Sequence, residues 1–545
     1  MFRTQHARLV AVLLMAASAF GSAYQASPKL VVILVIDQFR GDYLERYHDE
    51  FGPSGFRTFT DKGAYFPACY YDYANTRTAP GHATIGTGTY SSGHGIFSNE
   101  WWVPASKRVL SAVDDESTKI VGIEGDAMGA SPHNLLADTI GDELRLATQG
   151  DSRVFGIALK DRAAILPTGF SANGAYWVDH ASGAWITSTY YVTEAPHWLT
   201  AFNSQKHAQK FLNLDWKDGN GDVLGSTAPH DSPDGKPLDF YQLVGSTPFG
   251  NDYQIEFTRE LILQEKLGQG TVTDLLVLSL SASDLVGHAY GPDSPQMHAM
   301  ALALDRQISE FLTFLQQQYG NRFWIVLTAD HGVAPTNATS VKLRLPSALI
   351  VNKDLKAELN KALGARLHKP GEYVRSASFP IVFVNNDAFG ETIGESDAEA
   401  YVADAMRAMG FVTAYTKEQL ASGEVAPTAI GRMFANSYSP YGGWWVMGLP
   451  PPFTLSTKEG TDHGVSYSYD QHVPLAFYGA AFKPGVYRDQ VEPIDLAATL
   501  AVLLGVNKPT NSTGHVLTQA LSSRSEAPSP TPAVAKPRAA PEPRP

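Results

Sequence analysis

Five short runs of Val, Ile, Leu, Phe and Ala, most of them closing on charged residues, constrain the fold of this chain more than any other feature. They are "KLVVILVID" (29–37), "VFGIALK" (154–160), "DLLVLSLSASD" (274–284), "FWIVLTADH" (323–331) and "VPLAFYG" (473–479). None alternates apolar with polar as a half-exposed strand would, so the pattern predicts parallel strands buried on both faces by helices. Helical stretches lie between them. In "ALALDRQISEFLTFLQQQYG", Leu304, Ile308, Phe311, Leu312 and Leu315 share one face and Gly320 supplies the stop. "NLLADTIGDELRLA" and "PIDLAATLAVLLG" read the same way, the second ending at Gly505. The expected fold class is α/β, a mostly parallel central sheet with helices on both faces. Ligands of such sheets sit at the carboxyl ends of the strands. Asp37, Lys160, Asp284, Asp330 and His331 all fall at or just past such ends, so one site could collect them.

With 545 residues, 44% of them hydrophobic, the chain can bury one large elaborated core. Two long stretches, about 165–260 and 340–458, are rich in Gly, Pro, Trp and Tyr and lack strong helical periodicity; they read as insertions capping the sheet edge. The N-terminus carries Arg3 and Arg8, then "LVAVLLMAASAFG", then small residues, the pattern of a signal peptide (1–26) cleaved after Ala23 or Ala26. The apolar run is too short to span a bilayer, so a periplasmic or secreted protein with no stable membrane span is expected. The catalytic unit would occupy 27–521, and the Pro/Ala-rich tail 522–545 cannot bury enough apolar surface to order itself. Cys69 is the only cysteine, which excludes an intrachain disulfide. A formal net charge of -13 argues against a nucleic-acid or anionic-membrane binder, whose affinity depends on clustered cations. A small anionic ligand would need a local positive site. Nothing in the sequence fixes an oligomeric state, and a monomer is the default expectation.

Several residues point to a metal. Zinc takes His nitrogen and carboxylate oxygen. Asp284 and His288 are spaced to share one face of a helical turn, although alone the pair reads first as a helix cap with a nearby surface histidine. Asp330 and His331 end a buried run and must be compensated if they stay buried. "TDHGVSYSYDQHVPLAFYG" adds His463 beside a glycine, while His472, directly before a strand, is expected to stay outside the metal site. "NTRTAPGHATIGTG" places Thr78 before Pro80 and Gly81 at a tight helix start beside anion-favouring N–H groups, where the roles of cap and nucleophile are compatible.

The ordered set "VIDQFR", "TAPGHATIGTG", "SASDLVGHAYGPDS", "LTADHG" and "DHGVSYSYDQHVPL" resembles the threonine-nucleophile branch of the alkaline phosphatase superfamily, from about residue 29 to 505. The resemblance implies two Zn2+ ions, one on Asp284, His288 and His463, the other on Asp37, Asp330 and His331 with Thr78. A zinc-coordinated hydroxyl is an activated nucleophile, and two ions about 4 Å apart clamp the attacking and leaving oxygens of phosphoryl transfer. "IALKDRAAI" sets Lys160 and Arg162 two apart after a strand-like run, projecting to one side, although K-D-R by itself is a common solvated pattern; "IFSNEWW" adds Asn99 as an amide donor. Thr78, Asn99, Lys160 and Arg162 together are similar to the phosphate-binding set of PafA-type alkaline phosphatases. The expected activity is therefore hydrolysis of small phosphate monoesters through a phosphothreonine intermediate. A nucleotide pyrophosphatase or phosphodiesterase of the same superfamily and a non-catalytic zinc-binding module are the alternatives.

Overall fold

The computed structural model describes residues 27–232 and 235–522. The expected signal peptide lies outside these residues, as does the tail beyond Ser522. The elements that frame the site are, in chain order, β1 (Leu30–Ile36), β2 (Ala64–Tyr70), α1 (Thr78–Thr87), β3 (Val154–Ala158), α2 (Asp161–Ile165), β4 (Gly174–Val178), β5 (Asp274–Leu280), α3 (Ala282–Tyr290), α4 (Pro295–Tyr319), β6 (Phe323–Thr328), β7 (His472–Tyr478) and α5 (Asp495–Leu504).

Strands β6, β1, β5, β3 and β4 lie side by side and all parallel. Every residue of β1, β3, β5 and β6 is buried, so each apolar run is continuous because both of its faces are covered. One cover is α4. Its Leu304, Ile308, Phe311, Leu312 and Leu315 are buried, its Ser294 cap accepts from the Met297 N–H, and it stops at Gly320 as expected. The pairing register levels the strand ends: Thr328, Val35, Ser279 and Ala158 stand in one row across β6, β1, β5 and β3. Asp330, Asp37 and Lys160 each come two residues after that row.

The sheet is mixed outside its parallel centre. Among the described residues it has eleven strands, continuing past β6 through β7 and β2 and past β4 through Trp185–Ser188. The run "VPLAFYG", expected to be parallel, forms β7 and is antiparallel to both β6 and β2. Its chain arrives from the site end of the sheet and so must run back, and burial on both faces makes its sequence indistinguishable from its parallel neighbours. Strand β2, "AYFPACY", escaped the sequence pattern because its register shifts between Phe66 and Cys69 around Pro67.

The two insertions are more regular than their composition suggests. In 165–260, β4 and Trp185–Ser188 extend the main sheet, and Pro248–Gln264 is a long helix. In 340–458, helices Asn352–Arg366 and Glu395–Ala408 accompany a four-stranded antiparallel sheet, Val374–Ser378, Ile381–Val384, Trp445–Leu449 and Thr413–Thr416 in spatial order. The helices bury narrow stripes, Leu355, Leu359 and Leu363 on one and Ala398, Val402 and Met406 on the other, which is why no broad periodicity announced them. The sheet's side chains alternate between two cores. Val382, Val384 and Val446 face the insertion's own helices, whereas Ile381, Phe383, Trp445, Met447 and Leu449 join the core that holds Ala79 and Ala83 of α1. The insertion thereby backs the helix that begins at Thr78. Among the described residues no helix is long and apolar enough to cross a membrane, and Cys69 is free and buried.

Glu399 is fully buried in this insertion, accepting from the backbone N–H of Trp445 at 2.9 Å and of Glu418 at 3.3 Å. Burial pushes its pKa from 4.5 up to about 8. The folded state therefore holds a proton that the unfolded chain has already lost, and stability present below 4.5 declines as pH rises through about 8. Glu399→Gln cannot ionise and should flatten that decline. Urea midpoints followed by tryptophan fluorescence from about pH 5 to about pH 9 test this, and identical slopes in the two proteins would show that Glu399 is already ionised.

Candidate active site

Three carboxylates from three neighbouring strand ends meet below the surface. Asp37 follows β1, Asp330 follows β6, and Asp284 stands in the first turn of α3 after β5; the first two are wholly inaccessible and Asp284 is nearly so. His331 Nε2 lies 3.6 Å from Asp37 Oδ1 and 3.4 Å from Asp330 Oδ2. On α3, the Asp284 and His288 pair makes the helical turn expected of it, with His288 Nε2 3.3 Å from Asp284 Oδ1. His463 Nε2 reaches the same oxygen at 3.8 Å, and its ring stacks on His331 with centroids 3.6 Å apart.

All three histidines are oriented alike. His331 Nδ1 donates to the Gly332 carbonyl, His288 Nδ1 to Thr461 and His463 Nδ1 to Thr76, at 3.0, 2.9 and 2.7 Å. A carbonyl can only accept, so each ring carries a proton on Nδ1 and turns Nε2 toward the carboxylates. Asp37 Oδ1, Asp330 Oδ2 and His331 Nε2 are buried and have no hydrogen-bond partner among the described residues, although they face one another. Three acceptor atoms aimed at one point fit a cation, and the N/O donor set suits zinc. Among the described residues, three groupings have ligand atoms close enough to share an ion: Asp37, Asp330 and His331; Asp284, His331 and His463; and His288, Asp462 and His463. The first is one of the two expected sets. The second expected set, Asp284, His288 and His463, is spread wider, with Asp462 beside it.

The charges are strongly coupled. Burial, then Asp284 and Asp330, push Asp37 well above the usual carboxylate range, as expected of the middle member of three. Asp284 and Asp330 are held below that range despite burial, the first chiefly by Lys160 and His288, the second by His331 and His82. Burial opposes the His288 imidazolium, but the Asp284 carboxylate prevails and pushes its pKa up to about 9. His463 is depressed by burial and by the neighbouring histidines. Lys160 supplies the compensating charge inside the cluster: its ammonium lies 2.6 Å from Asp37 Oδ2 and 2.5 Å from Asp284 Oδ2.

Thr78 is the first residue of α1 and not its cap. Arg77 holds the cap position, with no capping hydrogen bond from its side chain. Asn99 does part of that work from outside, its Oδ1 accepting from the Ala79 N–H at 2.8 Å, which leaves the Asn99 Nδ2 free to donate. Lys160 and Arg162 do not project together as in a strand. The strand ends at Ala158, Lys160 caps α2 and Arg162 lies within it, a quarter exposed and 3.7 Å from Asp161.

Several residues at the site were not read from the sequence. His82, one turn along α1, links the Thr78 carbonyl (2.9 Å) to Ser279 Oγ (2.8 Å) and stands 3.3 Å from Asp330 Oδ2; its spacing from Thr78 was a legible signal. Gln38 and Asp462 sit directly beside Asp37 and His463. Tyr241 comes from the first insertion, with His180 stacked on it at 4.0 Å, and only tertiary structure brings it near the charges of Lys160 and Arg162. His472 stays outside the cluster, bonded to the Pro67 carbonyl and stacked on Tyr70.

A family model described as type I phosphodiesterase / nucleotide pyrophosphatase matches residues 31–424. A protein of Myroides odoratus named calcium-transporting ATPase is 33% identical over 91% of this chain and 95% of its own length. Alkaline phosphatase PhoV of Synechococcus elongatus is 32% identical over 91% of this chain and 93% of its own. Alkaline phosphatase PafA of Elizabethkingia meningoseptica is 30% identical over 91% and 94%. The PafA crystal structure superposes with a TM-score of 0.82, covering 91% of this chain and 99% of that one. A PafA variant altered at a threonine, an asparagine, a lysine and an arginine has the same fold.

Helix α1 approaches β6 through Gly81. A Cβ there would lie 2.3 Å from the Asp330 carbonyl oxygen, so the helix start or the strand end would have to move. Gly81→Ala should cost about 1–3 kcal/mol, the usual range for overpacking, and should also displace Thr78 from Asp330. Urea denaturation and phosphate-release rates check both effects, and a variant with unchanged rate and midpoint would show that the contact is slack.

Proposed function

The chain belongs to the type I phosphodiesterase / nucleotide pyrophosphatase family, within the alkaline phosphatase superfamily, and we propose that it is an exported, zinc-dependent alkaline phosphatase cleaving phosphate monoesters through a phosphothreonine intermediate. One observation carries this reading: α1, whose first residue is Thr78, meets Asp330 through Gly81 and His82, and the ammonium of Lys160 lies against Asp37 and Asp284 of the same buried array of carboxylates and histidines. The export signal at residues 1–26 supports a periplasmic or secreted location.

In this reading Asp37, Asp330 and His331 would hold one zinc beside Thr78, and Asp284, His288 and His463 the other. When bound, the ions supply activation of the hydroxyl and stabilisation of the departing oxygen. Thr78 Oγ attacks phosphorus in line; the P–O bond to the leaving group breaks as the Oγ–P bond forms, and the leaving oxygen keeps the electron pair and departs as the alcohol on gaining a proton equivalent to the one Thr78 gives up. Water attacks the phosphothreonine from the vacated side, restoring the hydroxyl and releasing inorganic phosphate. Asn99 Nδ2, free because Oδ1 is committed to Ala79, donates to a non-bridging oxygen. Lys160 and Arg162 would add two cationic donors, and positioning with electrostatic stabilisation provides most of the acceleration. Residue His82 steadies both the Thr78 carbonyl and Asp330, keeping nucleophile and carboxylate in register.

Removing only the nucleophilic oxygen gives the direct test. Thr78→Ala should fold and retain metal, since six other ligands remain, yet lose most turnover, whereas Thr78→Ser should keep appreciable activity. An alanine variant near wild type in phosphate release would return Thr78 to a structural role.

The choice between mono- and diester depends on cations. A monoester offers two charges over three non-bridging oxygens, a diester one charge and a substituent in place of one contact. Losing two charge-assisted hydrogen bonds of about 1.5–3 kcal/mol each should slow monoester cleavage by roughly two to four orders of magnitude. The comparison is kcat/KM for matched aryl mono- and diesters in wild type and in Lys160→Ala/Arg162→Ala, where the diester should change far less. A wild-type preference for the diester would move the protein to the phosphodiesterase reading, and no turnover of either to a binding module.

A further inference from the structure

Gln38 follows Asp37 directly, is wholly buried, and has φ of 61°, a left-handed conformation that residues other than glycine seldom adopt. Its backbone N–H donates to Asp330 Oδ1 at 3.0 Å, and its side-chain Nε2 donates to Asp284 Oδ1 at 2.7 Å. One residue thus grips a carboxylate from each half of the site. Asp330 keeps Oδ2 turned to Asp37 and His331, while the second lone pair of Asp284 Oδ1 remains for the side where His288 and His463 stand.

The carboxamide does not sit this way to satisfy itself. Its Oε1 is buried without a partner among the described residues, a costly arrangement, and turning the amide over would set that oxygen against the Asp284 carboxylate. The bond to Asp284 therefore fixes the orientation. The neighbouring helix accommodates it, because a Cβ at Gly287 of α3 would fall 1.9 Å from Oε1. Strained backbone, an unpaired buried oxygen and a glycine clearing space for it all serve the same contact.

Resting on the two-ion reading above, we propose that Gln38 is a positioning residue that ties the two ion-binding halves together, its side chain aiming Asp284 and its backbone aiming Asp330. The two contacts are separable by mutation. Gln38→Met keeps the side-chain length and the backbone N–H but removes the donor to Asp284. Gly287→Ala keeps the amide and pushes it off its seat.

The test is zinc content and competitive zinc release to a chromogenic chelator, measured on the full chain. Wild type should release two ions. In Gln38→Met, affinity for one ion should fall roughly 10- to 100-fold, the usual effect of losing a partner that orients a ligand, while the other ion is held as in wild type. The zinc concentration needed for turnover should rise, with kcat recovered in excess zinc, and Gly287→Ala should show the same selective weakening even if the methionine variant fails to fold. Equal weakening of both ions, or no change in either variant, would overturn the proposal. A wild-type protein that binds fewer than two ions would overturn the two-ion reading itself, and is seen before any variant is compared.

Discussion

Burying three carboxylates against one another is the constraint on which the rest of this structure depends. Asp37, Asp284 and Asp330 lie almost entirely out of water, where like charges repel strongly and each loses its hydration. Compensation comes from Lys160, from His288, and from hydrogen bonds donated by Gln38. Even so, Asp37 is driven toward its neutral form, and three acceptor atoms are left facing one another without partners among the described residues. Divalent charge is the natural complement of such a cluster, since it reverses the local pKa logic and satisfies all the lone pairs together.

Holding that cluster requires that several strands end level. The row Thr328, Val35, Ser279, Ala158 delivers Asp330, Asp37 and Lys160 to one height, and α3 lifts Asp284 and His288 from the next strand end. Helix α1 then has to come close enough for Thr78 to join them, which it does through Gly81 on one side and through Ala79 and Ala83 on the other. The second of those supports is the alternating face of a sheet contributed by residues 374–449. An insertion remote in sequence therefore braces the residue proposed to react.

Much of this was legible beforehand because local chemistry was distinctive. Unbroken apolar runs ending in Asp, His or Lys identified the central strands and the metal-type residues together, and α4 announced itself by its stripe and its Gly320 stop. Less was legible where burial erased the pattern. Strand β7 looked parallel because both of its faces are covered, and strand direction leaves no trace in composition. Thr78 was expected to cap α1 as well as to react, because threonine commonly caps; that Asn99 takes the Ala79 N–H depends on a loop twenty residues away.

By itself the sequence determined the α/β class, the positions of the strand ends, the residue types able to bind metal and attack phosphorus, and the spacing that puts Asp284 and His288 on one turn. Those properties are set by a few neighbouring residues at a time. Only the tertiary structure decided that Lys160 lies between Asp37 and Asp284 while Arg162 departs on its own helix, that Tyr241 and Asp462 border the site, and that Gln38 reaches both halves of it. Apart from the local helix that carries Arg162, each of these is a contact across tens to hundreds of residues. Such contacts follow from the register and packing of whole elements, which no local stretch of sequence encodes.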